Sequence, residues 1–438
     1  MSSAQVNDHS WLREIYRWIV PAAIIRRNLQ FKFASEIVVR GVQFAFIIVA
    51  ARRLGVTDFG VYAYGVALGF VFAQICDFGL QILVTREIAR APSAARAVLG
   101  TTLLAKGLLF LASCTVLVIF VRVFEPPTQA HVVLLLAVAT MLTSFVEFFN
   151  YAFRGFQRLE FEAALNISQR LLGPGLALLA LWFGGALSTV AWIIFFANCA
   201  ASGLGYFWLT KYFAQPVFQI KTQWLGYAVR EVLPLGLAIA FSGIYARSGV
   251  LLLQGLWGSG ETGLFNAAQR LTDAMQVFPA IALAAIFPAF AGERDAVQRQ
   301  VLGWRTLGLL LLLAGILALA GWGGAEAIIN LVYGSAYAAS TDALRWLALT
   351  LVPMFLNYAL THFLIAYGRQ WFNALFTFTY LVVNIGLGIW LIPVFGAAGA
   401  AMALMLSEIV LCLLCAVALA RPSPRVEPIV EEASFNAK

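Results

Sequence analysis

Leu54 to Leu68 reads L-G-V-T-D-F-G-V-Y-A-Y-G-V-A-L, and 203 positions later Trp257 to Leu271 reads W-G-S-G-E-T-G-L-F-N-A-A-Q-R-L. Gly55 falls on Gly258, Asp58 on Glu261, Gly60 on Gly263, Tyr62 on Phe265 and Ala67 on Arg270. Each copy lies between two long apolar runs, so the chain reads as two related membrane halves. An internal repeat on this scale is a transporter signature.

Composition agrees. Of the 438 residues, 62% are hydrophobic and 11% charged, where soluble chains carry about 25% charged residues. The apolar runs are each about 20 residues long, enough to cross hydrocarbon as a helix. All five cysteines (Cys76, Cys114, Cys199, Cys412, Cys415) sit inside such runs and read as small packing residues rather than a metal or redox site. No G-x-x-x-x-G-K-[ST], H-E-x-x-H or G-x-S-x-G occurs, which removes the usual routes to ATP hydrolysis, zinc proteolysis and serine hydrolysis. No cofactor is expected.

The expected fold class is an all-α integral membrane protein of about 12 transmembrane helices. They are placed at about 34–53, 60–84, 98–121, 131–153, 163–183, 186–213, 231–256, 263–290, 302–322, 342–367, 372–393 and 396–420. Residues 1–33 scatter Arg13, Arg17, Arg26, Arg27 and Lys32 among Trp11, Ile15, Trp18, Ile19 and Ile24, with Pro21 interrupting. That pattern is not a cleavable signal peptide; it suits a basic segment on an anionic inner leaflet or a loosely ordered basic tail. The expected organisation is this segment, a six-helix lobe at 34–213, a cytoplasmic linker at 214–230, a second six-helix lobe at 231–420 and a short charged tail at 421–438.

Orientation follows from the basic residues. With the N-terminus inside, twenty Lys and Arg fall on the inner side and only Arg52, Arg53 and Arg122 on the outer. Both ends are therefore expected in the cytoplasm. The formal net charge of +8 is mostly this inner excess and does not point to nucleic acid.

Six basic residues remain within the expected helices: Arg40, Lys106, Arg170, Arg247, Arg270 and Arg345. A cation at mid-membrane costs about 2.5–3.5 kcal/mol on insertion scales, so these side chains should face a cavity, an acid or the headgroups. Arg345 lies three residues from Asp342, Arg40 four after Glu36 and Arg270 three before Asp273, spacings that allow pairs on one helical face. Arg170 can snorkel to the inner face. Lys106 and Arg247 have no acid at helical spacing, which favours a functional reading for these two. Intrahelical acids are fewer: Glu36, Asp77, Glu147, Asp273 and Glu408. Glu147 and Glu408 could each carry a coupling proton or neutralise a cation, and neutralisation is the plainer reading. The balance predicts a polar interior with excess positive charge, suited to phosphate or pyrophosphate, whose oxygens match arginine. Pro174, Pro279 and Pro353 fall inside expected helices and allow kinks.

These residues carry a family resemblance. Ala34 to Tyr64 (A-S-E-I-V-V-R-G-V-Q-F-A-F-I-I-V-A-A-R-R-L-G-V-T-D-F-G-V-Y-A-Y), then D-F-G-L at Asp77 and T-R-E-I-A-R at Thr85, resembles the bacterial O-antigen-type polysaccharide flippases. These belong to the multidrug, oligosaccharidyl-lipid and polysaccharide exporter superfamily. In the second half I-Y-A-R-S-G-V and G-L-F-N-A-A-Q-R-L resemble the same family, as do the inner links R-G-F-Q-R-L-E-F-E-A (Arg154 to Ala163) and A-Y-G-R-Q-W-F-N-A (Ala366 to Ala374). The resemblance spans about residues 30–420.

It implies two pseudo-symmetric lobes in a V around a central cavity. It also implies passage of an undecaprenyl-diphosphate-linked oligosaccharide from the inner to the outer leaflet of the bacterial inner membrane by alternating access. Arg40 and Arg270 resemble cavity arginines of related peptidoglycan-precursor flippases, which carry two further helices absent here. Many members have an acid where this chain has Ser248 and Gly249, so Arg247 lacks that neighbour.

The expected substrate-binding residues are Arg40, Lys106, Arg247 and Arg270, with Glu147 and Glu408 as coupling groups. The lipid-linked oligosaccharide and the bilayer are the expected partners, together with a polysaccharide polymerase and a chain-length regulator. Two rivals stand beside this reading. A multidrug exporter of the same fold would want cavity acids. A membrane glycosyltransferase or ligase would want catalytic groups in a large outer loop, and Gly323 to Thr341 carries only Glu326.

Overall fold

The computed structural model describes residues 22–218, 222–293, 295–367 and 370–420. Residues 1–21 of the expected N-terminal segment, 219–221 of the expected linker and the tail at 421–438 lie outside the described residues. All regular structure among the described residues is helical. The first half holds α1 (Ala22–Asp77), α2 (Leu80–Arg90), α3 (Ala95–Phe124), α4 (Pro127–Gly155), α5 (Leu159–Arg170), α6 (Leu176–Trp182) and α7 (Leu187–Tyr212). The second holds α8 (Thr222–Trp257), α9 (Ser259–Met275), α10 (Val277–Gly292), α11 (Ala296–Gly323), α12 (Ala325–Val332), α13 (Ser340–Ala366) and α14 (Gln370–Ala420).

Among the described residues, ten stretches are long and apolar enough to cross a membrane. Two of them, Val39–Asp77 and Leu375–Ala420, each contain a glycine outside helical geometry: Gly55 (φ 75°, ψ 177°) and Gly396 (φ 55°, ψ −129°). Each of these stretches therefore holds two crossings, which yields the twelve segments expected. Gly258, the repeat partner of Gly55, has nearly the same backbone (φ 82°, ψ −169°) where α8 turns into α9. Only glycine adopts this region readily. The repeat read from the sequence is thus a repeat of backbone conformation.

Local departures from straight helices have identifiable causes. The helix expected at 60–84 breaks at Phe78 (φ 34°) and Gly79 (φ 76°), between α1 and α2. α8 crosses that break at Gly236, where a Cβ would stand 2.7 Å from the Phe78 carbonyl oxygen. Pro174 sits in a π turn, Leu171–Gly175, that joins α5 to α6. The helix expected at 263–290 divides at Gln276 into α9 and α10, three residues before Pro279. Pro353, by contrast, lies inside an unbroken α13. α12 was not expected: the loop after α11 folds into a short helix whose Ala325 and Ile329 are buried. Asp295 caps α11 by accepting from the amides of Val297 (2.8 Å) and Gln298 (3.4 Å).

The chain divides into two compact units. The first is Met1–Arg53 with Phe72–Gly236, and the second is Leu54–Val71 with Leu237–Lys438. These units differ from the division expected in chain order. Leu54–Val71 counts with the second unit because its backbone touches that of α9 at Gly60 and Gly263. The core of the first unit gathers Ile88 of α2, Leu99 of α3, Phe149 and Phe153 of α4 and Leu209 of α7. In the second unit Phe290 of α10, Leu310 of α11, Phe355 and Leu364 of α13 and Cys415 of α14 form the core.

Candidate functional site

The second unit brings two of the expected cations together. Arg247 projects from α8 and Arg270 from α9, two helices that meet closely because Gly249 leaves room for the Phe265 ring (a Cβ there would lie 2.9 Å from it). The Arg247 guanidinium stands 5.0 Å from the centre of the Phe70 ring, a cation–π contact. Its Nε is shielded from solvent and has no hydrogen-bond partner. Arg270, Asp273 and Tyr62 lie within electrostatic reach of it.

Arg270 pairs with Asp273 at 3.7 Å, as the spacing predicts. That separation is too long for a hydrogen bond, so the carboxylate screens the guanidinium without occupying its donors. Tyr333, just after α12, brings a buried hydroxyl that also has no partner. Burial pushes its phenol above the ordinary value, and the Arg270 charge pulls the other way. The arrangement is two guanidiniums against one carboxylate, with unsatisfied donors among them. It can bind an anion.

The other expected site residues are distributed differently. Arg40 is exposed on α1 in the first unit. Lys106 is fully buried on α3 and forms an ion pair with Asp77, the last residue of α1. Its ammonium also lies 5.2 Å from the centre of the Phe145 ring. No acid lies at helical spacing from Lys106 along α3; its partner comes from another helix. Arg170 donates to Gln43 of α1 at 2.8 Å, and Arg345 pairs with Asp342 at 3.0 Å as expected.

Glu408 departs from the neutralising role given to it. It is buried on α14 and takes part in no ion pair among the described residues. Tyr245 Oη donates to one of its carboxylate oxygens at 2.7 Å and Asn357 Nδ2 to the other at 2.7 Å. A second polar group lies beside it: Ser248 donates to Asn384 Oδ1 at 2.7 Å, and Asn384 donates to Ser407 at 3.1 Å. Ser248 of α8 is thus held in a buried hydrogen-bond network. Tyr245, Asn357 and Asn384 were missed in the sequence, where a lone polar residue in an apolar run carries no periodic signal. Glu147 is half-buried on α4 and accepts no hydrogen bond or ion pair among the described residues. Arg154, two turns along, is committed to Glu162 through bonds of 2.8 and 2.7 Å.

Comparison with known proteins accords with this architecture. The probable low-salt glycan biosynthesis flippase Agl15 of Haloferax volcanii is 24% identical over 388 residues, covering 86% of this chain and 79% of that protein. Among solved structures, the lipid II flippase MurJ in an inward closed conformation superimposes with a TM-score of 0.71 at 14% identity, over 90% of this chain and 88% of that one. An inward-facing multidrug resistance MATE family transporter of the MOP superfamily gives 0.66 at 16% identity, over 86% and 94%. The chain therefore shares the fold of these multi-pass helical membrane proteins. The family described as polysaccharide biosynthesis protein matches residues 25–292, more than half of the chain, and the chain belongs to it.

Proposed function

We propose that this protein flips a lipid-linked oligosaccharide, carried on undecaprenyl diphosphate, from the inner to the outer leaflet of the bacterial inner membrane for surface polysaccharide synthesis. Arg247 and Arg270 hold the diphosphate or acidic sugars. The observation that carries the reading is the unsatisfied Arg247 Nε beside a second guanidinium that its carboxylate does not saturate. A cationic drug would be repelled there, which weighs against the multidrug reading. The relative Agl15, named for glycan flipping, supports the same direction.

Both termini face the cytoplasm in this reading, and the two halves work by alternating access. Arg40, exposed on the first unit, is a further candidate ligand, while Lys106 serves through its pair with Asp77 rather than as a free ligand. Glu408, held by neutral donors, is the group that takes up a coupling proton, and Glu147 is a second candidate. A polymerase and a chain-length regulator are the partners that would receive the product.

The test uses the purified protein in liposomes with a labelled lipid-diphosphate oligosaccharide in one leaflet, and follows exposure to a lectin on the other side. Protein-dependent transfer that falls in Arg247→Ala and Arg270→Ala is expected. Absence of transfer, with export of a cationic dye instead, overturns the reading.

A further inference from the structure

The π turn Leu171–Gly175 in the first unit borders an apolar groove of about 550 Å³. Leu172 and Leu176 form one wall, and Trp192, Ile193, Phe196 and Ala200 of α7 form the other. Both walls belong to stretches long and apolar enough to span a membrane, Leu159–Trp182 and Leu187–Tyr212. Leu172, Leu176, Trp192 and Phe196 are exposed, and an exposed apolar lining of this kind suits contact with hydrocarbon.

Its ends differ. Ser188 and Thr189 line it close to the turn between α6 and α7. Trp182 closes α6 at that same turn, and the guanidinium of Arg53 stands 5.8 Å from the centre of the Trp182 ring. Arg53 is exposed and is one of the few cations that the basic-residue count assigns to the outer side.

We infer that this groove holds the polyisoprenoid tail of the carrier lipid, with Arg53 meeting the lipid's diphosphate on the outer side once Arg247 and Arg270 have released it. The inference rests on the flippase reading. A flipped glycolipid keeps its hydrocarbon in the bilayer while its head crosses, so the protein needs a lipid-facing seat for the chain. Annular phospholipid needs no such seat, because it lies along ordinary helix surfaces. Here a backbone defect makes the seat: the π turn forgoes regular helical bonding, and such turns concentrate at functional sites. A diphosphate also suits a guanidinium better than a zwitterionic headgroup does.

The test places the full-length protein in phosphatidylethanolamine nanodiscs with a glycan-free polyprenyl diphosphate carrying a diazirine near the end of its chain. A phosphatidylethanolamine with a diazirine at its acyl terminus is the second probe. After irradiation, adducts are mapped by mass spectrometry. The polyprenyl probe is expected to label residues 171–200. Ala200→Trp fills the groove from an exposed position and should lower that labelling on the order of tenfold, about the loss of two buried methylenes. Ala200→Leu should lower it less, and Arg53→Ala should lower it for the polyprenyl probe alone.

Equal labelling of the groove by the phospholipid probe overturns the proposal in favour of annular lipid. Polyprenyl adducts that ignore Ala200→Trp overturn it as well. The probe carries no glycan and need not be translocated. A negative result here therefore leaves the lectin assay free to succeed, and failure of the lectin assay does not decide this one.

Discussion

Gly60 and Gly263 pack backbone to backbone in a reciprocal way. A Cβ on Gly60 would stand 1.7 Å from the Ser259 carbonyl oxygen, and a Cβ on Gly263 would stand 2.1 Å from that of Val56. Val56 and Ser259 are equivalent positions in the repeat, as are Gly60 and Gly263, so the two contacts are one contact seen from each copy. Each glycine follows a turn made by another glycine, Gly55 or Gly258, in the same positive-φ conformation. The motif L-G-V-T-D-F-G is thus a turn followed by a helix that can touch another backbone.

Gly60→Ala and Gly263→Ala should each destabilise the protein, because the atom met is backbone and cannot rotate away. Overpacking of this kind costs about 1–3 kcal/mol. Gly255→Ala in α8 is the control, since a Cβ there meets nothing within 4 Å. Thermal unfolding in detergent should show a lower midpoint for both motif variants and none for the control. Equal midpoints for all three would remove the crossing as a structural constraint.

The buried pair of Lys106 and Asp77 makes a second prediction. Removing one partner leaves an uncompensated charge in an apolar core, at a cost of about 3–5 kcal/mol. Lys106→Met or Asp77→Leu alone should therefore express poorly and melt early. The double variant should recover most of the loss, since exchanging a whole buried pair for apolar side chains is often neutral. A double-mutant cycle on unfolding midpoints measures the coupling. Additive losses would show that Lys106 is held by something other than Asp77.

Arg270 and Asp273 separate binding from release. Arg270→Ala should weaken binding of a polyprenyl diphosphate oligosaccharide by about tenfold or more, the worth of a hydrogen bond to a charged group. Asp273→Asn removes the screening carboxylate and should tighten binding while slowing transfer. Equilibrium binding and the lectin assay, run side by side, check both. Asp273→Asn that weakens binding would show that the acid positions Arg270 rather than competing with the anion.

The sequence makes the repeat, the number of crossings and the Arg270–Asp273 and Arg345–Asp342 pairs legible, because each is a local spacing along one helix. Gly55 and Gly258 are visible for the same reason: a turn of this kind must be glycine. Contacts between helices are not legible in this way. Asp77 meets Lys106 from another helix, and Glu408 is met by Tyr245 and Asn357 from two more, with no periodicity to announce them. The break at Phe78 and Gly79 is hidden too, since a single glycine in an apolar run does not say whether the helix continues.

Glu408 makes the last prediction. Its carboxyl accepts from Tyr245 and Asn357 and pairs with no cation among the described residues. A structural acid in this setting would serve equally well as an amide, whereas a coupling acid would not. Glu408→Gln keeps the size and still offers one oxygen to Tyr245, so unfolding should change by no more than about 1–2 kcal/mol, the scale of one altered hydrogen bond. Transfer in liposomes should persist down a substrate gradient but lose its response to an imposed proton gradient. Tyr245→Phe, which removes a neutral donor and leaves the acid, should weaken the response without abolishing it. If Glu408→Gln follows the proton gradient as the native protein does, coupling belongs elsewhere, and Glu147 is the next residue to replace.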